Sequence, residues 1–204
     1  MEVRTLRNIL IFAPLLSITI SASAIAEQDI QIRVSVPEQR MYVFDGDKKL
    51  ATYRVSTSAY GLGDGRGSYT TPLGHLEIAS KVGTGAPVGT VFKGRCRTGE
   101  VCAINAKGRD PIVTRILHLR GVEKQNSRAY ARAIYIHGTP DERHIGRPAS
   151  YGCIRMKSND IVKLYDMIPV GASVEITNQR VSGGLFSFVS TMVTGSAKVA
   201  TTVK

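Results

Sequence analysis

The 204-residue sequence contains no tryptophan, and aromatic residues make up only 6% of it. Proteins that bind single-stranded nucleic acids stack bases on aromatic side chains, and this sequence supplies few of them. Its basic residues are dispersed along the chain, with no recognition-helix, metal-finger or aromatic-rich RNA motif among them. The sequence therefore predicts no nucleic-acid partner.

The sequence also lacks a hydrophobic run of membrane-spanning length near its start. Its apolar stretch at residues 9–20 is interrupted by a proline and is shorter than the roughly 20 residues that a spanning helix needs. Arg4 and Arg7 precede this stretch, and Ala24-Ile25-Ala26 follows it. This three-part layout is typical of a secretory signal peptide, so we interpret residues 1–26 as one and expect export to the periplasm or cell envelope.

Acidic residues are few relative to basic ones. There are 27 Lys and Arg residues against 16 Asp and Glu, which gives a formal net charge of +11. In an exported protein this charge favours peripheral contact with an anionic envelope surface, although it could serve solubility alone.

The length and composition indicate a single globular domain. We assign this domain to residues 27–180. Residues 181–204 are rich in Ser, Thr, Gly, Ala and Val without a clear period, and we interpret them as a loosely ordered tail.

Period-two alternation and turn residues dominate the domain and predict a mainly β fold, a β-sandwich or open barrel with one or two short helices. The expected strands are residues 30–36, 41–44, 50–55, 76–79, 112–119, 133–136 and 174–177. One helix is expected at 159–167, with Ser158 capping its start. The glycine-rich segment 61–74 reads as a flexible loop that is not a phosphate cradle, because no helix follows it.

Cysteine is scarce, and its three positions suggest different uses. Cys96 and Cys102 are six residues apart around Gly99, and in an oxidising compartment we predict a local disulfide that pins a loop at 81–109 near the substrate groove. Both could instead stay reduced or pair between chains. Cys153 would then be left without a partner.

The residues around Cys153 carry the densest chemistry. A β run ends at His137, and Gly152 immediately precedes Cys153. A cysteine attacks as the thiolate, so it needs a base such as His137; the missing side chain of Gly152 lets a carbonyl group approach. Arg155 could bind a carboxylate with its planar guanidinium. A buried structural cysteine and histidine are the alternative.

We expect no metal and no cofactor. His75, His118, His137, His144 and Cys153 lack the short Cys or helical His spacing that zinc favours. We expect His75, His118 and His144 to be structural or to line the groove.

The pattern His137-Gly138 followed by Ser150-Tyr151-Gly152-Cys153-Ile154-Arg155 resembles the signature of the L,D-transpeptidase catalytic domain, a family of exported cysteine enzymes that crosslink bacterial peptidoglycan. The segments 39–46 and 71–78 also resemble an early hairpin and a Thr-Pro-x-Gly strand of this family. The resemblance covers roughly residues 30–177 and implies a β-rich sandwich.

The resemblance implies a role for each matching residue. Cys153 would be the nucleophile and His137 the general base. Ser150 and Gly152 would shape the turn, with backbone N–H groups near Gly152 and Cys153 as the oxyanion hole. Arg155 would orient substrate or brace the loop. Tyr151, also a candidate substrate contact, stands where many members have histidine.

The implied reaction is acyl transfer through a thioester on Cys153. A tetrapeptide stem of peptidoglycan would be the donor, and a second stem amine or a lysine of a wall-attached protein the acceptor. Alternatives are a hydrolase with the same site, either an L,D-carboxypeptidase or an amidase that releases wall protein. A non-catalytic wall-binding module and a host-directed cysteine protease are further alternatives.

Overall fold

Ten short strands account for most of the regular structure. The computed structural model describes residues 29–181, so the expected signal peptide and all but the first residue of the expected tail lie outside the described residues. The strands are β1 Ile30–Ser35, β2 Arg40–Asp45, β3 Lys48–Ser56, β4 Gly74–Val82, β5 Thr90–Lys93, β6 Cys96–Val101, β7 Ile112–Gly121, β8 Tyr135–Gly138, β9 Ile154–Met156 and β10 Ser173–Thr177.

The strands form one sheet that closes on itself. Its order is β4-β10-β1-β2-β3-β9-β8-β7-β5-β6, and β4 also pairs with β7. The eight strands from β4 to β7 in this order therefore complete a ring. The hairpin of β5 and β6 extends from β7 outside the ring. Alternation along β1 sends Ile30, Ile32 and Val34 into the core, where they meet buried side chains from most other strands. The mainly β prediction is confirmed, with the barrel closed rather than open.

Two pairs of neighbouring strands in the ring are parallel, whereas the others are antiparallel. Strand β1 pairs in parallel with β10, and β8 pairs in parallel with β9. Parallel neighbours need a long connection, and residues 139–153 supply it between β8 and β9. This crossover segment determines where the candidate site forms.

The predicted helix is present as α1, Ser158–Met167, and it packs against β7 and β8. Its apolar face buries Ile161 and Leu164. The predicted cap is wrong, because Ser158 is the first helical residue. Its N–H donates to Oε1 of Glu142 at 2.8 Å, so a carboxylate from the crossover segment takes the place of the expected hydroxyl.

The remaining regular structure includes elements that the sequence did not predict. Strands β5, β6 and β9 were not expected, and two 3₁₀ turns occur at Lys124–Asn126 and Glu142–His144. Within residues 29–181 no helix is long and apolar enough to cross a membrane.

Gly138 offers a direct test of how tightly β7, β8 and α1 pack. A Cβ at this position would lie 2.6 Å from the Val113 carbonyl oxygen and 3.2 Å from Cγ2 of Ile161. We expect Gly138→Ala to lower the free energy of unfolding by about 2 kcal/mol, since neither backbone nor core can yield easily. Urea denaturation measures the change.

Gly65→Ala is the matched control for this substitution. A Cβ there meets only the Ser68 side chain at ordinary contact distance, 3.6 Å. Its effect should stay within about 0.5 kcal/mol. Equal stabilities of the two variants would contradict the packing described for Gly138.

Candidate active site

His137 lies on β8 and is buried. Its Nδ1 is 2.8 Å from the carbonyl oxygen of Gly138. A carbonyl only accepts, so in the neutral ring Nδ1 carries the proton and Nε2 keeps a lone pair. Burial lowers the pKa of His137 to about 4, against the opposing effect of the Gly138 hydrogen bond. The ring is therefore a neutral base at neutral pH.

Cys153 lies immediately before β9 and is partly exposed. It packs against a small apolar cluster separate from the main core, with Ala86, Phe92, Ile116 and Tyr135 as its buried members. Its thiol is 3.5 Å from the carbonyl oxygen of Ala133 and donates to it. The thiol therefore has an apolar wall on one side and a backbone acceptor for its proton.

The sheet register places His137 and Cys153 on one face. His137 is opposite Arg155 in the parallel pair, and side chains two residues apart on a strand point the same way. Cys153 is two residues before Arg155 but lies just outside β9, so its packing decides the face. It packs against the cluster of Ile116 and Tyr135. Both of these side chains share the face of His137, because Ile116 is its antiparallel partner and Tyr135 is two residues before it on β8. Strand spacing and rise give about 8 Å between the Cα atoms of His137 and Cys153.

Burial determines the resting charge of the pair. It raises the pKa of the Cys153 thiol to about 11, against the lowering effects of a hydrogen bond and the charges of Arg132 and Arg155. Both shifts favour the neutral form. At neutral pH the site therefore holds a thiol and a neutral imidazole, not a preformed thiolate–imidazolium pair.

Arg155 is almost fully buried, and its two terminal guanidinium nitrogens are engaged by Asp110 and by the crossover segment. Its guanidinium contacts Asp110 at 2.7 Å and Asp141 at 3.3 Å, and it donates to the carbonyl oxygen of Ala149 at 3.0 Å. Two carboxylates therefore balance the charge of Arg155, although its buried Nε has no hydrogen-bond partner among the described residues. This geometry favours bracing of the crossover over binding of a substrate carboxylate, because both terminal nitrogens already have protein partners.

The turn before Cys153 is held by two hydroxyl groups. Ser150 Oγ donates to the Cys153 carbonyl oxygen at 2.6 Å and accepts from the Gly152 N–H at 3.2 Å. Thr71 Oγ1 donates to the Gly152 carbonyl oxygen at 3.0 Å. An oxyanion would compete with the long Ser150 contact for the Gly152 N–H.

Gly152 is required at its position for two reasons. Its φ of +115° lies in the region that L side chains rarely adopt, and an added Cβ would come within 3.0 Å of the Thr70 carbonyl oxygen. Any larger residue would displace the segment that carries Cys153.

Arg132 is the main site residue that the sequence did not single out. It forms an ion pair with Asp64 at 2.7 Å and donates to the carbonyl oxygens of Gly63, Ser68 and Thr70. The glycine-rich segment predicted to be flexible is thus wrapped around a nearly buried guanidinium. The separation of more than 60 residues between the two hides this contact from the sequence.

The other three histidines make contacts within the fold. His118 stacks on Tyr130 and contacts Arg95, whereas His144 pairs with Asp141. His75 binds Glu123 through its backbone N–H. Among residues 29–181 no group of three or more His, Cys, Asp and Glu side chains is placed to hold a metal ion.

The predicted disulfide is not formed, since Cys96 and Cys102 are both free thiols. Cys96 begins strand β6 and Cys102 directly follows its end. Cys96 pairs with Lys93, and the Cys102 N–H donates to the Gly89 carbonyl oxygen, so the two cysteines are about four strand residues, or about 13 Å, apart. Disulfide-linked Cα atoms lie within about 7 Å. The chain reverses at the tip of the β5–β6 hairpin, where Gly94 and Arg95 have positive φ. Gly99 also has positive φ, but it lies where the register of β6 shifts and does not bring the two cysteines together.

The raised thiol pKa predicts how Cys153 reacts in the free protein. In a C96S/C102S background, the rate of alkylation by iodoacetamide should rise about tenfold per pH unit from 7 to 10, because the reactive thiolate is a minor species until the pH approaches about 11. Mass spectrometry follows the modification. A rate plateau below pH 8 would show a preformed thiolate and contradict the neutral pair.

The Arg132 contacts predict a large loss of stability in a conservative variant. Arg132→Lys cannot reproduce four contacts with one ammonium group, and its side chain and that of Asp64 are only 10% and 4% exposed. We expect the free energy of unfolding to fall by about 3 kcal/mol. Arg128→Lys, an exposed neighbour, is the control and should change it by less than about 0.5 kcal/mol; equal effects would contradict the account.

The chain is similar in sequence to known proteins. A family model described as YkuD, L,D-transpeptidase catalytic domain, matches residues 29–176. A protein of Escherichia coli named "Probable L,D-transpeptidase ErfK/SrfK" is 29% identical over 155 residues, which cover 74% of this chain and 44% of that protein. Its namesake in Salmonella typhimurium is 44% identical over 50 residues, covering 24% of this chain and 16% of the relative.

Among solved structures, an L,D-transpeptidase from Mycobacterium tuberculosis H37Rv superimposes with a TM-score of 0.48 at 15% identity, covering 74% of this chain and 58% of that one. The chain thus spans less than half the length of its Escherichia coli relative. The family match extends over nearly all of the described residues. The chain belongs to the L,D-transpeptidase catalytic domain family.

Proposed function

We propose that the protein is an exported peptidoglycan L,D-transpeptidase that forms a thioester on Cys153. The observation that carries the proposal is the shared sheet face of His137 and Cys153, with Nε2 of His137 left as an acceptor. Family membership supports the same reaction. The donor would be a tetrapeptide stem, attacked at the peptide bond before its terminal D-Ala.

The neutral resting pair suggests how the reaction begins. When a substrate carbonyl enters, the sulfur of Cys153 attacks its carbon as the thiol proton passes to Nε2 of His137. The tetrahedral oxyanion is stabilised by backbone N–H groups of the 150–153 turn. His137 then returns its proton to the departing amine of D-Ala, and the thioester remains.

The second half-reaction uses the same groups. His137 removes a proton from an attacking amine, which releases the new amide and regenerates the Cys153 thiol. The amine would belong to a second stem or to a lysine of a wall-attached protein. Water in its place would make the protein a carboxypeptidase or an amidase, so exclusion of water decides between the activities.

The β5–β6 hairpin favours an anionic substrate. Lys93, Arg95 and Arg97 are exposed at its tip, and Arg95 reaches His118, whose ring packs against the edge of Tyr135 in the Cys153 cluster. Unlike Arg155, these exposed cations are not held by the crossover segment. We therefore propose that they, and not Arg155, bind the carboxylates of the stem peptide.

Location and partners follow from the same proposal. Residues 1–26 would direct the chain to the envelope, where its positive charge would hold it near anionic polymers. Arg155 would brace the crossover segment, and Ser150, Gly152 and Tyr151 would border the bound stem.

Incubation with purified tetrapeptide wall fragments tests the proposed activity. We expect the wild-type protein to release D-Ala and form crosslinked dimers, detected by mass spectrometry. Cys153→Ala should lower turnover at least about 10³-fold, since no other group replaces the nucleophile, while the free energy of unfolding changes by less than about 1.5 kcal/mol.

Cys102→Ser is the matched control and should retain turnover, because Cys102 follows the end of β6 and its thiol donates to the carbonyl oxygen of the adjacent Ala103. Unchanged turnover in Cys153→Ala would refute the nucleophile assignment. Trimmed monomers without dimers would support the hydrolase. Wall binding without any turnover in the wild type would support the non-catalytic module.

A further inference from the structure

Three exposed tyrosines form a continuous surface next to Cys153. Tyr60, Tyr69 and Tyr151 are 55%, 57% and 67% exposed. Their ring centroids lie 5.4–5.6 Å apart in all three pairings. We call these residues the tyrosine surface. Exposed aromatic side chains gathered in one patch usually mark a binding site, since scattered single ones are the ordinary case.

The protein holds this surface in place from beneath. The hydroxyl group of Ser58 accepts from the Tyr60 N–H at 2.8 Å and donates to the Tyr69 carbonyl oxygen at 2.5 Å. Arg132 fixes the chain on both sides of Tyr69 through the carbonyl oxygens of Ser68 and Thr70. The rings are therefore presented on a fixed backbone, which lowers the entropy lost on binding.

The tyrosine surface and the thiol belong to one continuous site. Tyr151 is two residues before Cys153, and Ser58 forms a parallel bridge with Ser150 at the start of the same turn. In the sheet order, the loop after β3 lies on one side of β9 and the β5–β6 hairpin on the other. Cys153 thus lies between an uncharged aromatic patch and a basic hairpin.

This division of charge indicates what the tyrosine surface binds. The carboxylates of a stem peptide match the cations of the hairpin, whereas neutral phenol rings offer no charge to them. Aromatic rings bind the apolar C–H faces of uncharged rings and hydrogen-bond through their hydroxyl groups. In a peptide-bearing glycan the component with that chemistry is the sugar.

We propose that the tyrosine surface is a subsite for a pyranose ring of the glycan strand that carries the donor stem. The inference rests on the proposed function for the identity of the substrate. The reach is suitable. Three extended residues between sugar and scissile bond span about 10 Å, and the Cα atoms of Tyr151 and Cys153 are at most about 7 Å apart before the length of the tyrosine side chain is added. The enzyme would then bind the sugar and the peptide of one donor at the same time.

Binding of peptide-free glycan tests the subsite without any turnover. The probe is an N-acetylglucosamine oligomer titrated into Cys153→Ala protein by calorimetry or by NMR. We expect binding that weakens about tenfold in a Tyr60→Ala/Tyr69→Ala background. The matched Tyr60→Phe/Tyr69→Phe background keeps the rings and should lose no more than about threefold. Absence of binding, or equal binding by the Ala and parent proteins, would overturn the subsite.

Kinetics with two donors then links the subsite to catalysis. We expect wild-type protein to have a higher kcat/KM for a disaccharide tetrapeptide than for the free tetrapeptide. The ratio of the two values should fall about 5- to 10-fold in the Ala double variant and stay near wild type in the Phe variant and in Val170→Ala, an exposed control on the turn after α1.

The outcomes separate this inference from the proposed function. Turnover of both donors with a ratio unaffected by the Ala variant keeps the transpeptidase and removes the subsite. Tyrosine-dependent glycan binding in a protein without turnover keeps the subsite and removes the enzyme. An equal loss of kcat/KM with both donors would show that the tyrosine surface binds the peptide. This result would overturn the assignment of the surface to the sugar.

Discussion

The parallel pairing of β8 with β9 is the constraint on which the site depends. It places His137 opposite Arg155 and therefore puts Cys153 on the same face, although 15 residues separate the two strands in sequence. An antiparallel pair can be joined by a two-residue turn, whereas a parallel pair requires a long connecting segment. The crossover segment contains the turn at Ser150, which precedes Cys153. It also contains Glu142, which accepts from the first N–H of α1, and Asp141, which pairs with Arg155.

Two buried arginines organise the segments on either side of this pair. Arg155 holds the crossover, and Arg132 holds the glycine-rich segment that carries Tyr69. Their positive charges also reach the thiol, yet burial dominates and leaves both Cys153 and His137 neutral. Reactivity in this account is acquired when substrate enters, which limits side reactions of the resting thiol.

The sequence predicted what depends on local pattern. Alternation identified β1 and the hairpin of β2 and β3, and helical spacing identified α1. The three-residue β9 is too short to show a period. Arg132, Asp64 and the tyrosine surface arise from contacts between segments distant in sequence. The Cys96–Cys102 disulfide was expected from compartment and spacing, but strand β6 holds the two thiols apart.

The central claim is that Cys153 alone carries the acyl group. Intact-mass measurement of the wild-type protein, mixed with a tetrapeptide donor and no amine acceptor, tests it most directly. The account predicts a mass gain equal to the donor minus D-Ala, labile to hydroxylamine and located on the peptide that contains Cys153. No gain, or a gain located on Cys96 or Cys102, would contradict it.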